Sequence, residues 1–148
     1  LPKESVFTVI DASHTSDLDT VSAIGDGKEP RWSSGKDVPR WTSRPQLGKK
    51  QWVEGRFSKP RKVRSVGVYW MQDQQDVKFP KEWSLEVRSG KEWKPFELYV
   101  TDRYDNRANQ YNVVHPAAPL TCDAIRIHMT PNENSALGIL EVQVAFEE

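Results

Sequence analysis

The chain has 148 residues, about the size of one domain, and we expect residues 1–148 to form a single unit. Its 21 basic and 21 acidic side chains balance, which argues against nucleic acid or an anionic membrane surface as the main partner. No run approaches the roughly 18 apolar residues of a membrane span, and the single cysteine, Cys122, excludes an internal disulfide.

Short stretches of alternating apolar and polar residues predict β-strands along the whole chain. In the clearest stretch, Ile125, Ile127 and Met129 fall on one face while Arg126 and His128 fall on the other. Turn residues separate the stretches, for example at residues 58–61. The predicted strands cover residues 5–10, 51–57, 63–70, 83–89, 93–99, 111–115, 123–130 and 139–146. About eight short strands and no long helix predict an all-β fold, an antiparallel jelly-roll β-sandwich.

A long polar loop over residues 32–45 carries two of the six tryptophans, Trp32 and Trp41, together with Arg40 and Arg44. Aromatic rings beside guanidinium groups on a loop are typical of a binding surface. The chain shows no Ser-His-Asp order, phosphate-binding loop or His-rich metal spacing. Because chance pairs of carboxylates are expected among 21 acids, acid pairs alone do not indicate a glycosidase. The sequence therefore predicts a binding domain rather than an enzyme.

Several motifs follow one another in an order that indicates a known family. They are Gln51-Trp-Val-Glu-Gly-Arg-Phe57, Val66-Gly-Val-Tyr-Trp70, Phe79-Pro-Lys-Glu-Trp-Ser-Leu-Glu-Val87 and Gly138-Ile-Leu-Glu-Val142. In this order they resemble the discoidin, or F5/8 type C, domain, which shares its galactose-binding-like fold with family 32 carbohydrate-binding modules. Through Asp19-Thr-Val-Ser-Ala23 and Val38-Pro-Arg-Trp-Thr42 the chain is more closely similar to the C-terminal domain of bacterial glycoside hydrolases of the β-L-arabinofuranosidase type.

The resemblance implies a non-catalytic carbohydrate-binding accessory module that binds its sugar weakly at the loop end of the sandwich. Trp32 or Trp41 would stack on a sugar ring, while Arg40 and Arg44 would donate hydrogen bonds to hydroxyls or to a uronate carboxylate. The connection that follows the strand at 63–70 would add further contacts from Asp73, Gln75, Asp76 and Phe79. The sequence leaves open that Trp41 instead caps the bottom of the sandwich and that Arg40 pairs with a nearby acid.

A second interpretation belongs to a different class of function. The domain would bind no ligand and would buttress the catalytic domain of its parent enzyme, so that its partner is that domain instead of a carbohydrate. Its exposed aromatics would then form a flat apolar patch and not a concave pocket. In both interpretations the resemblance implies a periplasmic or extracellular bacterial protein whose signal lies outside this fragment.

The resemblance also implies a possible structural calcium ion. Family 32 modules commonly hold Ca²⁺ between the first loop and the start of the last strand, and the matching carboxylates here are Asp26 and Glu141. Ca²⁺ takes 6–8 oxygen ligands, so nearby backbone carbonyls would complete the site. Because Lys28-Glu-Pro30 replaces the usual polar turn, a lysine ammonium is the alternative partner of Glu141.

Overall fold

The computed structural model describes residues 5–147, which form eight strands and one short helix. A 3-10 helix, Val21–Gly25, follows the first strand. The strands are β1 (Val9–Ala12), β2 (Trp41–Thr42), β3 (Gln51–Trp70), β4 (Glu82–Ser89), β5 (Glu92–Pro95), β6 (Tyr111–Val114), β7 (Leu120–Thr130) and β8 (Gly138–Phe146). The predicted all-β fold is confirmed, although the expected extent of the domain, residues 1–148, includes residues 1–4 and 148, which lie outside the described residues.

The twenty-residue strand β3 belongs to both layers of the sandwich. Its first half pairs antiparallel with β1 and β7, and β4 and β5 extend that layer beyond β7. Its second half pairs antiparallel with β6 and β8, and β2 lies on the far side of β8. Trp70 from the second half packs edge to face on Trp83 of β4, with ring centroids 5.3 Å apart, so the two layers meet across one core.

The inward faces of both layers form that core. Val53, Val68, Leu85 and Ile127 are buried in it, as the alternation of the sequence predicts. Cys122 is buried as well, and burial followed by the neighbouring Asp123 charge raises the pKa of its thiol to about 11. The cysteine is therefore an unreactive core side chain.

The predicted turn at residues 58–61 is wrong, because β3 continues through it. The pairing of β3 with β7 shifts register between Arg56 and Arg61, so residues 57–60 form an irregularity in the ladder. Pro60 has no backbone N–H, and it lies where the ladder needs none. The first predicted strand is also displaced, from residues 5–10 to Val9–Ala12, and the strand predicted at 93–99 ends at Pro95.

Two short elements were not predicted. Trp41–Thr42 pairs with Ile139 and Gly138 of β8, and this draws the middle of the long loop into the sandwich. The 3-10 helix Val21–Gly25 lies just before that loop and contacts β8. No helix among residues 5–147 has the length and apolarity that crossing a membrane requires.

A small second hydrophobic cluster supports the loops at one end of the sandwich. Met71 and Val77 pack in it with Leu140 of β8, and Val38 of the long loop packs against it. Gly138 lets the backbone approach this cluster closely, because a Cβ at this position would lie 3.0 Å from Met71 Cβ and from Val77 Cγ1. The long loop and the connection after β3 therefore stand side by side on one apolar base.

Candidate functional site

The backbone of the long loop is fixed where Trp32 emerges. Ser33 is buried; its N–H donates to Asn109 Oδ1 at 2.8 Å, and its hydroxyl accepts from the Asn109 N–H at 2.8 Å. The Gln72 N–H donates to the Ser33 carbonyl at 3.0 Å. Asn109 makes this contact from a left-handed backbone conformation, φ 62°, that asparagine tolerates. Trp32 itself is 61% exposed, so a large aromatic ring faces solvent on an anchored loop.

Trp41 does not contribute to this surface. It is fully buried, and its indole N–H donates to the His14 carbonyl at 2.9 Å. Pairing of β2 with β8 carries the indole inward, so it cannot stack on a ligand, and the prediction of Trp41 as a binding residue is wrong. It is a core residue, the alternative that the sequence left open.

A groove opens between the long loop and the connection after β3. We call it the loop groove. Its cavity volume is about 850 Å³, and it is lined by Ser34, Lys36, Arg40, Arg44, Met71, Asp73, Gln74 and Gln75. Four of the predicted binding residues therefore meet in one concavity, although two different loops supply them. Trp32 precedes Ser34 by two residues and does not itself line the loop groove; its carbonyl accepts from the Gly35 N–H at 3.0 Å.

Arg44 is held by two carboxylates. Its Nε donates to Asp76 Oδ1 at 2.6 Å, and Nη2 donates to Asp73 Oδ2. The Asp76 hydrogen bond, with that of Asp73, raises the pKa of Arg44 against the opposing effect of burial. Burial alone would raise the pKa of Asp73, but hydrogen bonds from the Val77 and Gln75 amides and from Arg44 outweigh it and lower that pKa. These contacts fix the shape of the second loop.

Arg40 is held differently. Its Nη2 donates to the Gly35 carbonyl at 2.8 Å and to the Val38 carbonyl at 3.1 Å, and its Nη1 lies 3.8 Å from Met71 Sδ. Among residues 5–147 it forms no ion pair, so the expected alternative of a nearby acid partner for Arg40 is wrong.

Two other predicted residues lie outside the lining of the loop groove. Asp76 does not line the loop groove, but its carboxylate pairs with the lining residue Arg44. Its backbone carbonyl accepts from the Ala136 N–H at 2.8 Å. Phe79 is half-buried and packs against the core, so it does not add the predicted contact to the loop groove.

The sequence analysis also missed several residues that shape the loop groove. Lys36 could have been predicted, because it is a third cation in the same loop as Arg40 and Arg44. No local pattern predicts a role for Asn109, which lies 76 residues from its partner Ser33.

The predicted calcium ligands are close together on the far side of the long loop. Glu141 is only 4% exposed; Oε2 accepts from the Gly27 N–H at 2.9 Å, while Oε1 has no hydrogen-bond partner among residues 5–147. Burial, and after it the nearby Asp26 carboxylate, raises the pKa of Glu141 to about 9. The Lys28 side chain forms no ion pair with Glu141 in the described chain, so the lysine alternative is wrong.

A buried carboxylate oxygen without a partner, facing a second carboxylate, fits a hard cation. Glu29 is engaged elsewhere, because it accepts from the Tyr111 hydroxyl at 2.7 Å. Among residues 5–147 no three His, Cys, Asp or Glu side chains are grouped to hold a metal ion, so backbone carbonyls would have to supply further ligands.

The geometry defines a β-sandwich with a polar groove between loops at one end. The F5/8 type C domain model matches residues 9–142, so the chain belongs to the F5/8 type C domain family. Domains of this family are non-catalytic. No curated protein sequence matches the chain significantly.

Solved structures from bacterial proteins share the fold. A chain from the Streptococcus pneumoniae β-galactosidase BgaA aligns over 100% of both chains with 20% identity and a TM-score of 0.78. The family 32 module of Clostridium perfringens NanJ, solved with galactose, aligns over 92% of this chain and 91% of its own with 15% identity and a TM-score of 0.69. Chitosan-binding module 1 of a Paenibacillus chitosanase/glucanase aligns over 96% of both chains with 17% identity and a TM-score of 0.68.

Proposed function

We propose that this domain is a non-catalytic carbohydrate-binding module and that the loop groove is its binding site. The observation that carries the proposal is a concavity in which guanidinium, amide and carboxylate groups converge, with the exposed Trp32 two residues before the lining residue Ser34. An aromatic wall beside a few directed polar groups is the arrangement that sugar rings require. The proposal is supported by two modules of this fold, the NanJ module solved with galactose and the chitosan-binding module.

The anchoring of the loops supports the same proposal. Ser33 ties the Trp32 loop to two neighbouring segments, and the Asp73 and Asp76 carboxylates tie Arg44 to the second loop. A preformed site loses little entropy on binding, although small sugars still compete with water. We therefore expect weak binding, on the order of 10 μM to 1 mM.

We further propose that the domain is an accessory to a bacterial glycoside hydrolase that works in the periplasm or outside the cell. Weak single-site binding becomes useful when a catalytic domain is tethered to its substrate, because the effective concentration rises. The similarity to a β-galactosidase chain supports an enzyme context. The finer likeness to β-L-arabinofuranosidase-type enzymes stays a prediction. The buttressing alternative required a flat apolar patch, and the polar lining of the loop groove favours ligand binding over it.

We also propose that Asp26 and Glu141 hold a structural Ca²⁺ with nearby backbone carbonyls. Without a cation Glu141 keeps its proton at neutral pH, since its pKa is raised to about 9; a bound cation would displace that proton and pair with both carboxylates. This ion would hold the first loop to β8 and has no part in sugar chemistry. Its readout is thermal stability with and without Ca²⁺, developed in the Discussion.

A glycan array followed by isothermal titration calorimetry tests the binding proposal. The Trp32→Ala variant should lose at least about ten-fold in affinity for any sugar that the unmodified domain binds, since the stacking contact is removed. Tyr99→Ala is the matched control, because Tyr99 is 50% exposed and does not line the loop groove. A folded domain that binds no glycan would overturn the proposal and favour the buttressing alternative.

A further inference from the structure

The charges of the loop groove are not balanced locally. Three cations line it, Lys36, Arg40 and Arg44, against the single lining carboxylate of Asp73. Asp73 and Asp76 both pair with Arg44, and within residues 5–147 neither Lys36 nor Arg40 forms an ion pair. Asp37, the remaining acid of this part of the loop, is exposed and does not line the loop groove. Counting Asp76, the three cations stand against two carboxylates, and Lys36 and Arg40 are the two cations with which no described carboxylate pairs.

The Arg40 guanidinium is oriented but not saturated. A guanidinium carries five N–H donors, and the two carbonyl bonds from Nη2, to Gly35 and Val38, fix its plane. Nη1 meets only the Met71 thioether, a weak acceptor, and Nε has no hydrogen bond within the described chain. A half-buried cation with free, directed donors favours an anion that accepts two hydrogen bonds in one plane.

We propose that the loop groove selects carboxylated sugars, so that the ligand is an acidic glycan containing uronic acid residues. The carboxylate would accept a forked pair of hydrogen bonds from Arg40, Lys36 would add a second positive charge, and Trp32 would cover one face of the ring. This inference rests on the proposed function, since it names the sugar class for the same site. A volume of about 850 Å³ is within the range of sites for ligands larger than one small ring, which suits an oligosaccharide.

Titration calorimetry with paired probes tests the inference. The acidic probes are oligogalacturonate and oligomannuronate; the neutral partners are their methyl esters, which keep the rings and remove the charge. We expect at least one acid to bind ten-fold or more tighter than its ester, because hydrogen bonds between charged groups are about twice as strong as neutral ones. This preference should shrink several-fold between 50 and 500 mM NaCl, roughly as screening predicts.

Matched variants locate the effect. Arg40→Gln should remove most of the preference for the acid, and Arg40→Lys should restore only part of it because lysine lacks the fork. Lys36→Gln should lower the preference without disturbing the fold, since Lys36 is exposed. Arg31→Gln makes the same charge change directly before the long loop and outside the lining of the loop groove, and it should leave the preference for the acid unchanged.

The outcomes separate the two proposals. Equal affinity for acid and ester, or binding of neutral array sugars alone, overturns the acidic-glycan inference and leaves carbohydrate binding intact. Equal affinity for a sulfated oligosaccharide shows a general anion site and overturns carboxylate selection. Absence of binding to every acidic, neutral and sulfated sugar overturns the proposed function itself.

Discussion

Replacing Glu141 with glutamine should stabilise the metal-free domain at alkaline pH, because the carboxylate is buried beside Asp26 with one oxygen unpaired. The folded state holds the Glu141 proton up to a pKa of about 9, whereas an unfolded glutamate ionises near 4.5. Because the folded-state pKa is raised, the stabilising contribution is complete below about pH 4.5 and is lost progressively as the pH rises towards 9.

The magnitude follows from the size of the shift. Each pKa unit is worth about 1.4 kcal/mol. Even half of the shift from 4.5 to about 9 therefore lowers the free energy of unfolding by about 3 kcal/mol at alkaline pH. The glutamine amide carries no charge, its oxygen can accept from the Gly27 N–H, and its NH₂ can donate to Asp26. For a domain of this size we expect Glu141→Gln to raise the melting temperature at pH 8 by about 6 °C or more in EDTA.

The assay is thermal unfolding followed by circular dichroism at pH 5 and pH 8, in EDTA and in excess Ca²⁺. The difference between the unmodified domain and Glu141→Gln should be small at pH 5 and large at pH 8. Ca²⁺ should stabilise the unmodified domain and leave the variant unchanged. Glu54→Gln is the matched control, because Glu54 is 3% exposed but pairs with Arg56 and Arg126, so its neutralisation should destabilise the domain at pH 8.

Identical melting temperatures for the unmodified domain and Glu141→Gln at both pH values would refute the reasoning, since Glu141 would then ionise normally in the folded state. A Ca²⁺ response that survives in Glu141→Gln would place the ion elsewhere and refute the calcium proposal alone.

Substitutions at three further positions test the rest of the structure. Trp41→Ala should lower the free energy of unfolding by about 3–5 kcal/mol in urea titration, because it empties a buried site; a loss below about 1 kcal/mol would contradict its core position. Asn109→Ala should weaken sugar binding several-fold, because it breaks a hydrogen bond to Ser33. Asn109→Gly accepts φ 62° without strain, so its loss of affinity measures the contribution of the side-chain hydrogen bond alone. Unchanged affinity in both variants would contradict the anchoring role of Asn109. The pKa of Asp73 is lowered in the folded state, so its contribution to stability is present above the unfolded pKa near 4 and is lost as the pH falls below it. Asp73→Asn should therefore flatten the fall in melting temperature between about pH 5 and pH 2. An equally steep fall in this variant would contradict the prediction.

Most of the fold could be predicted because one face of each long strand is buried. The burial in β7 alternates from Ile125 to Thr130, so this strand is recognisable from residues a few positions apart, whereas residues 138–142 of β8 are all buried. The failure at residues 58–61 has a local cause as well: Pro60 is a turn residue by composition, but it lies at a register shift where no ladder N–H is needed. Trp41 was misplaced because its two-residue strand depends on Ile139, 98 positions later.

The candidate site could be predicted only in part, and Arg40 and Arg44 show why. They lie four positions apart in one loop, and the sequence offers nothing that separates their roles. Arg44 is neutralised by acids that arrive 29 and 32 residues later in the chain, and it becomes a fixed part of the loop structure. Arg40 receives only neutral acceptors from its own loop and from Met71, so its charge stays available to a ligand. The role of a cation in a loop thus depends on the side chains of the loop that folds against it. In this domain the connection after β3 places its two carboxylates on Arg44 and none on Arg40.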